Sequence, residues 1–402
     1  MYDSGMRRAF LIIILVACSL QVVWGQESLS LLEDSLFIQQ AEQGVQAIYN
    51  LNFEQADSLF QALSQHYPGH PVGPFLQALN IWWRILLDLE DTSLDRPFLR
   101  ILKEVIRRSD RRLKNNPEDL DGLFFKGLAL GLRARHRSNR GQQVRALLDA
   151  RKAIGLVVRL ARMNPTHNDL YFGWGIYDYF AGVLPQRYPW LKPLRVLFPR
   201  GERERGLQEL KRVFQAGRLF KAEAAYFLAM IYYLYEPNVR EAIRYVTYLR
   251  THYPQNAYFH LLEVRIYARW GWRASMEAAA REMVQRFETQ QPGYTLTLVE
   301  EALYLLGRSA MRRGDYATAL QYFARVDSLG DNRPDTYARV YAYLRTAMIL
   351  DALGKRPQAV PYYRKVLLMK DIARSHERAW KYLKEPYGEY YQNRLLGSSV
   401  QQ

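Results

Sequence analysis

An all-α solenoid of about eight helical hairpins is predicted by three features of this 402-residue sequence. Small and aromatic residues recur at helical spacings, the same short words close separate units, and Pro or Gly-Asp turns fall at the unit ends. The best-formed unit spans about 300–330. Leu306, Gly307 and Ala310 share one helix face, Gly314-Asp315 turns the chain, and Tyr316, Ala319, Phe323 and Val326 line a second helix. Gly307 and Ala319 are small where the two antiparallel helices come closest, and Phe323 fills the groove beside them. The same grammar runs through 44–68, with Gly44, Ala47, a turn at Leu51-Asn52, then Phe53, Ala56, Phe60 and Leu63. Pro68 stops that unit, because it lacks an N–H and constrains the residue before it. A third copy sets Ala229 and Tyr232 against Ala242, Val246 and Leu249, and a fourth sets Ala347, Leu350 and Gly354 against Ala359, Tyr363 and Val366. His66-Tyr67-Pro68 and His252-Tyr253-Pro254 end two units in the same three residues.

Taken in order, the hairpins are expected at about 29–66, 71–115, 120–163, 168–217, 221–252, 256–289, 294–329 and 335–370. Asn116-Pro117 and Asn164-Pro165 end helices, and the fourth unit carries an insertion at 184–200. An amphipathic segment at about 372–384 is expected to cap the apolar end of the stack, as repeat arrays require. The solenoid then covers 26–385, and 386–402 forms a tail whose last residues, from Gly397, are small and polar.

These units resemble the tetratricopeptide repeat family. Its run of Leu-Gly, Tyr or Ala, Gly-x-Tyr, Ala, Phe, Ala and terminal Pro matches 306–326 nearly position for position, and 44–68 closely. The spacing between Ala319 and Ala359 is about 40 residues where the family has 34, so some units depart from it. The resemblance implies a right-handed superhelix with a concave groove that binds peptides or proteins. Residues 171–207 also resemble the tetratricopeptide-39 (Iml2) family, through Gly175–Phe180, Leu184-Pro185 and the turn Gly201–Leu207. No function is carried over from that shorter match.

Composition narrows the function classes. At 49% hydrophobic and 13% aromatic the chain can build a large core, which excludes disorder over most of its length. One Cys excludes a disulfide framework or a thiolate metal cluster within the chain. The seven His are scattered, and no phosphate loop, dinucleotide fingerprint or His-Glu-x-x-His pair occurs. No catalytic residue, cofactor or metal is expected. Asp178, Glu202, Glu204 and Glu223 read as caps or salt-bridge partners rather than as an acid/base pair.

The net charge of +16 is concentrated between Arg100 and Arg162, where 17 Lys and Arg face six acids. Arg107, Arg108, Arg111, Arg112, Arg133, Arg135, Arg137, Arg140 and Arg145 form the candidate basic patch. It reads either as a dock for an anionic lipid, envelope glycan or acidic protein, or as a solvated face whose Arg stems cover apolar surface. Nucleic acid is not an expected partner. In the 184–200 insertion, Trp190, Lys192, Arg195 and Phe198 would touch a membrane or a partner, or the segment would plug the groove.

The amino terminus reads as an export signal. Arg7 and Arg8 precede the apolar run Ala9–Ala17, and Val23-Trp24-Gly25 offers a cleavage site before Gln26. Leu15-Val16-Ala17-Cys18 resembles the bacterial lipobox, which would make Cys18 the lipidated first residue. Both readings place the protein in the periplasm, the second at the outer membrane. The expected function is a non-enzymatic envelope scaffold for a protein or peptide. Its groove candidates are Trp82, Trp83, Tyr177, Tyr232, Tyr233, Tyr267 and Tyr304. The alternative is a membrane-surface or glycan-binding module built on the basic patch and the insertion.

Overall fold

The computed structural model describes residues 30–163, 165–187, 200–330 and 334–388. Among them are 17 α-helices and no strand. The first four hairpins are α1 (Ser35–Tyr49) with α2 (Phe53–His66), α3 (Val72–Leu87) with α4 (Asp95–Asn115), α5 (Leu120–Asn139) with α6 (Gln143–Arg162), and α7 (Phe172–Arg187) with α8 (Arg203–Ala216). The next four are α9 (Lys221–Leu234) with α10 (Val239–His252), α11 (Ala257–Trp270) with α12 (Arg273–Glu288), α13 (Leu296–Arg312) with α14 (Tyr316–Ser328), and α15 (Tyr337–Ala352) with α16 (Arg356–Leu368). Helix α17 (Ser375–Lys384) ends the stack. The amino-terminal signal, Cys18 and most of the insertion, including Trp190, Lys192, Arg195 and Phe198, lie outside the described residues, as does the end of the tail.

Local chemistry explains where the helices start and stop. The Asp34, Asp119, Asn238, Asn256 and Asp315 side chains each accept from a backbone N–H in the first turn of the helix that follows. The two His-Tyr-Pro words adopt one conformation: Tyr67 and Tyr253 have ψ of 65° and 62°, and each donates its N–H to a Leu carbonyl at 2.9 Å. A Cβ on Gly307 would lie 2.5 Å from the Phe323 ring, and one on Gly44 would overlap Phe60. These glycines let the two helices of a hairpin touch, as their spacing with Ala319 and Ala56 predicts.

The fourth hairpin is irregular and is held by two buried carboxylates. Asp169 accepts from the N–H groups of Arg218, Leu219 and Phe220 at 3.0–3.2 Å, fixing the turn into α9. Asp178 accepts from the Glu202 N–H at 2.9 Å and from the Arg205 guanidinium, tying α7 to the start of α8. Helix α7 runs to Arg187 with Pro185 inside its last turns, so helix continues beyond the expected start of the insertion at 184.

The array is wound tightly enough that its beginning touches hairpins five to seven. The Asn256 side chain donates to the Tyr49 carbonyl at 3.0 Å, and Thr295 Oγ1 to the Leu87 carbonyl at 2.8 Å. Arg218 forms a two-point ion pair with Glu42 at 2.7 Å. Inside this closure Tyr49, Trp83, Tyr253 and Phe259 pack ring against ring, with centroids 4.9–6.1 Å apart.

Candidate peptide-binding groove

An open groove remains along the first helices of hairpins five to eight. It encloses about 420 Å³. Tyr233 comes from α9, Arg265 and Arg269 from α11, Glu301, Tyr304, Arg308 and Arg312 from α13, and Tyr337 from α15. Stacking of successive hairpins brings these positions onto one wall.

The wall is strongly basic. Glu301 is engaged by Arg265 through two hydrogen bonds of 2.6–2.7 Å. Arg269, Arg308 and Arg312 form no ion pair among the described residues. Arg269 lies over the Tyr233 ring at 5.4 Å and Arg308 over Tyr304 at 6.0 Å. Behind them Arg345 donates to the Tyr304 hydroxyl at 3.1 Å. Burial, and then the nearby Arg312 and Arg345, pull the Arg308 pKa below the usual arginine value. An anion bound here would relieve that repulsion. Tyr337, 44% exposed, offers an aromatic face beside the cations.

Only part of the expected aromatic set reaches this surface. Tyr233 and Tyr267 are half-buried, and Tyr233 lines the groove with Tyr304. Tyr304 is itself buried, as are Trp82, Trp83, Tyr177 and Tyr232. Trp82, Trp83, Tyr177 and Tyr232 therefore do not stand on the wall of this groove, contrary to the expectation from sequence. Closure of the first hairpins against the fifth and sixth turns Trp83 into core, where its Nε1–H donates to Glu223 at 3.0 Å. Trp82 stacks on Phe98 at 5.6 Å, and Tyr232 stacks on Tyr245 at 6.0 Å. Burial raises the Tyr177 hydroxyl to about 12.

The arginines of 107–145 do not form one solvated face. Arg107 and Arg108 share Glu104, Arg112 chelates Asp119, Arg133 and Arg137 share Asp149, and Arg140 chelates Asp95. Arg135 turns inward among aromatic rings, leaving Arg111 and Arg145 exposed without an ion pair among the described residues. The carboxylates Asp178, Glu202 and Glu204 serve as structural partners of Arg205 and Arg203. Among the described residues no group of three His, Cys, Asp or Glu is placed to hold a metal ion, and no helix is long and apolar enough to cross a membrane.

The family model described as tetratricopeptide repeat matches residues 301–328 and 341–368, which include Tyr304, Arg308, Arg312 and Arg345. The chain carries tetratricopeptide repeats at 301–328 and 341–368. Such repeats build helical solenoids that generally act as non-enzymatic protein-interaction scaffolds. Among solved structures, the chain is similar to a human IFIT1 dimer with PPP-AAAA. The identity is 14%, over 79% of this chain and 68% of that one, at a TM-score of 0.43. A human IFIT1 dimer with m7Gppp-AAAA is similar at 14% identity and the same coverage, with a TM-score of 0.34. No curated protein matches the chain in sequence.

Proposed function

We propose that this tetratricopeptide chain is an exported, non-enzymatic scaffold of the bacterial cell envelope that holds an acidic segment of a protein partner in the groove of hairpins five to eight. The observation that carries the reading is the wall itself. Arg269, Arg308 and Arg312 have no carboxylate partner among the described residues, stand beside Tyr233 and Tyr337, and face a wall whose Glu301 is already engaged. Arg and Tyr are the side chains that dominate binding energy at protein interfaces. Unpaired guanidinium groups recognise carboxylates in two-point geometry. Export rests on Arg7, Arg8 and the apolar run up to Ala17, with maturation before Gln26 or at a lipidated Cys18. The membrane- or glycan-binding alternative has less support, because most of the 107–145 arginines are satisfied within the fold.

The test is fluorescence anisotropy of a labelled peptide carrying several Glu and one aromatic residue, titrated with the full chain. Binding should weaken as salt is raised, and the pair Arg308→Glu and Arg312→Glu should cost at least about tenfold in affinity. Equal binding of a Gln-for-Glu peptide would sink the acidic-segment reading. So would a single-stranded RNA that binds more tightly and displaces the peptide. Amino-terminal sequencing of protein recovered from cell envelopes tests export: Gln26 or modified Cys18 supports it, and an intact Met1 in the cytosol overturns it.

A further inference from the structure

A second cavity, of about 580 Å³, lies among hairpins two to five and differs from the groove in chemistry. Its volume falls within the range of about 300–1,000 Å³ common for small-molecule sites. Leu79, Leu128, Ile154, Val157, Ile176 and Phe227 represent a wall that is almost entirely apolar. Gly131 lines its edge and faces open space, with nothing within 4 Å of where a Cβ would stand. Exposed Gly131 and Leu147 mark where the cavity reaches solvent.

Two ionisable groups line this apolar wall, Glu223 buried and Arg135 half-buried. Arg135 lies over Trp82 at 5.2 Å and over Tyr226 and Phe227 at 5.7 Å, and donates to the Tyr226 hydroxyl at 3.2 Å. It forms no ion pair among the described residues. Glu223 accepts from Trp83, and burial pushes its carboxyl pKa up against the opposing pull of Arg135. The Arg135 guanidinium therefore lines the cavity with no carboxylate within ion-pair distance among the described residues, and an anion entering the cavity would supply one. Arg200 adds an exposed cation among the lining residues.

We propose that this cavity binds a long-chain aliphatic monocarboxylate, its tail among the apolar side chains and its carboxylate on the guanidinium of Arg135. The site shares no residue with the acidic-peptide groove, and either can fail without the other.

The experiment uses the full chain and the fluorescent fatty acid cis-parinaric acid, displaced by unlabelled ligands. Palmitate should displace it with one site per chain, and affinity should rise about fourfold per added methylene from octanoate upward until the cavity is full. Hexadecanol, with the same tail and no charge, should bind at least about tenfold more weakly. Gly131→Trp, which sets a large apolar ring across the mouth of the cavity without changing charge, should weaken palmitate binding while the helical circular dichroism stays unchanged. Arg135→Gln should bring palmitate down to the affinity of hexadecanol. If Arg135→Gln does not fold, the acid-against-alcohol comparison on the parent chain still decides the role of charge. Equal affinity for palmitate and hexadecanol, a failure to saturate, or parental binding by folded Gly131→Trp would each overturn the proposal.

Discussion

Gly307 has Phe323 against its α-carbon, with a Cβ position only 2.5 Å from the ring. Gly307→Val therefore has to push α13 from α14 or force Phe323 off its rotamer, at about 1–3 kcal/mol. A urea melt should show that loss, and a parental midpoint would mean the helices can separate freely. His260 carries a different residue-scale cost. It is buried on α11, touches the Tyr294 hydroxyl at 3.0 Å, and faces Arg250 and Arg286, with Glu282 at 3.6 Å. Burial first, then the two arginines, lower its pKa from 6.5 to about 2. The unfolded chain thus takes up a proton below about pH 6.5 that the folded chain refuses, so this contribution to stability is lost as pH falls. The midpoint difference between parent and His260→Gln should shift in favour of the variant from pH 7 to 5. An unchanged difference would show that His260 does not titrate on unfolding.

At the scale of elements, helix ends and pairings were legible because their causes are local. The spans expected at 221–252 and 256–289 are the paired helices 221–252 and 257–288, marked by Asn caps, small contact residues and Pro. Partners were not legible. Arg140 finds Asp95 on the preceding hairpin and Asp178 finds Arg205 across the insertion, distances in sequence that no helical period encodes. The aromatic groove set was read only in part for the same reason: Trp83 is buried against Tyr226, Tyr258 and Phe259 and donates to Glu223, 140 residues away. Asp169 is the sharpest case at this scale, since a turn is held by one side chain that receives three backbone N–H groups. Asp169→Ala should cost about 1–3 kcal/mol and speed hydrogen exchange at the start of α9. Parental protection at Arg218–Phe220 would show the turn holds without it.

The whole molecule departs from a simple linear array. In such an array each repeat touches only its neighbours, and stability is a sum of nearest-neighbour terms with fraying ends. Here the first two hairpins are bonded to the fifth, sixth and seventh through Glu42–Arg218, Tyr49–Asn256 and Leu87–Thr295. Those contacts close the chain over an aromatic interior, so opening the amino-terminal hairpins also exposes core shared with hairpins five and six. Hairpin eight and α17 lie beyond the closure and retain nearest-neighbour packing. Hydrogen exchange read by mass spectrometry should therefore show 35–312 opening as one cooperative unit, with 337–384 opening at lower cost. Asn256→Leu removes the buried bond to Tyr49 and should make α1 to α4 exchange faster without changing α15 to α17. A smooth gradient of protection from one end to the other, unchanged by Asn256→Leu, would mean that the long-range contacts decorate a linear stack and contribute nothing to its cooperativity.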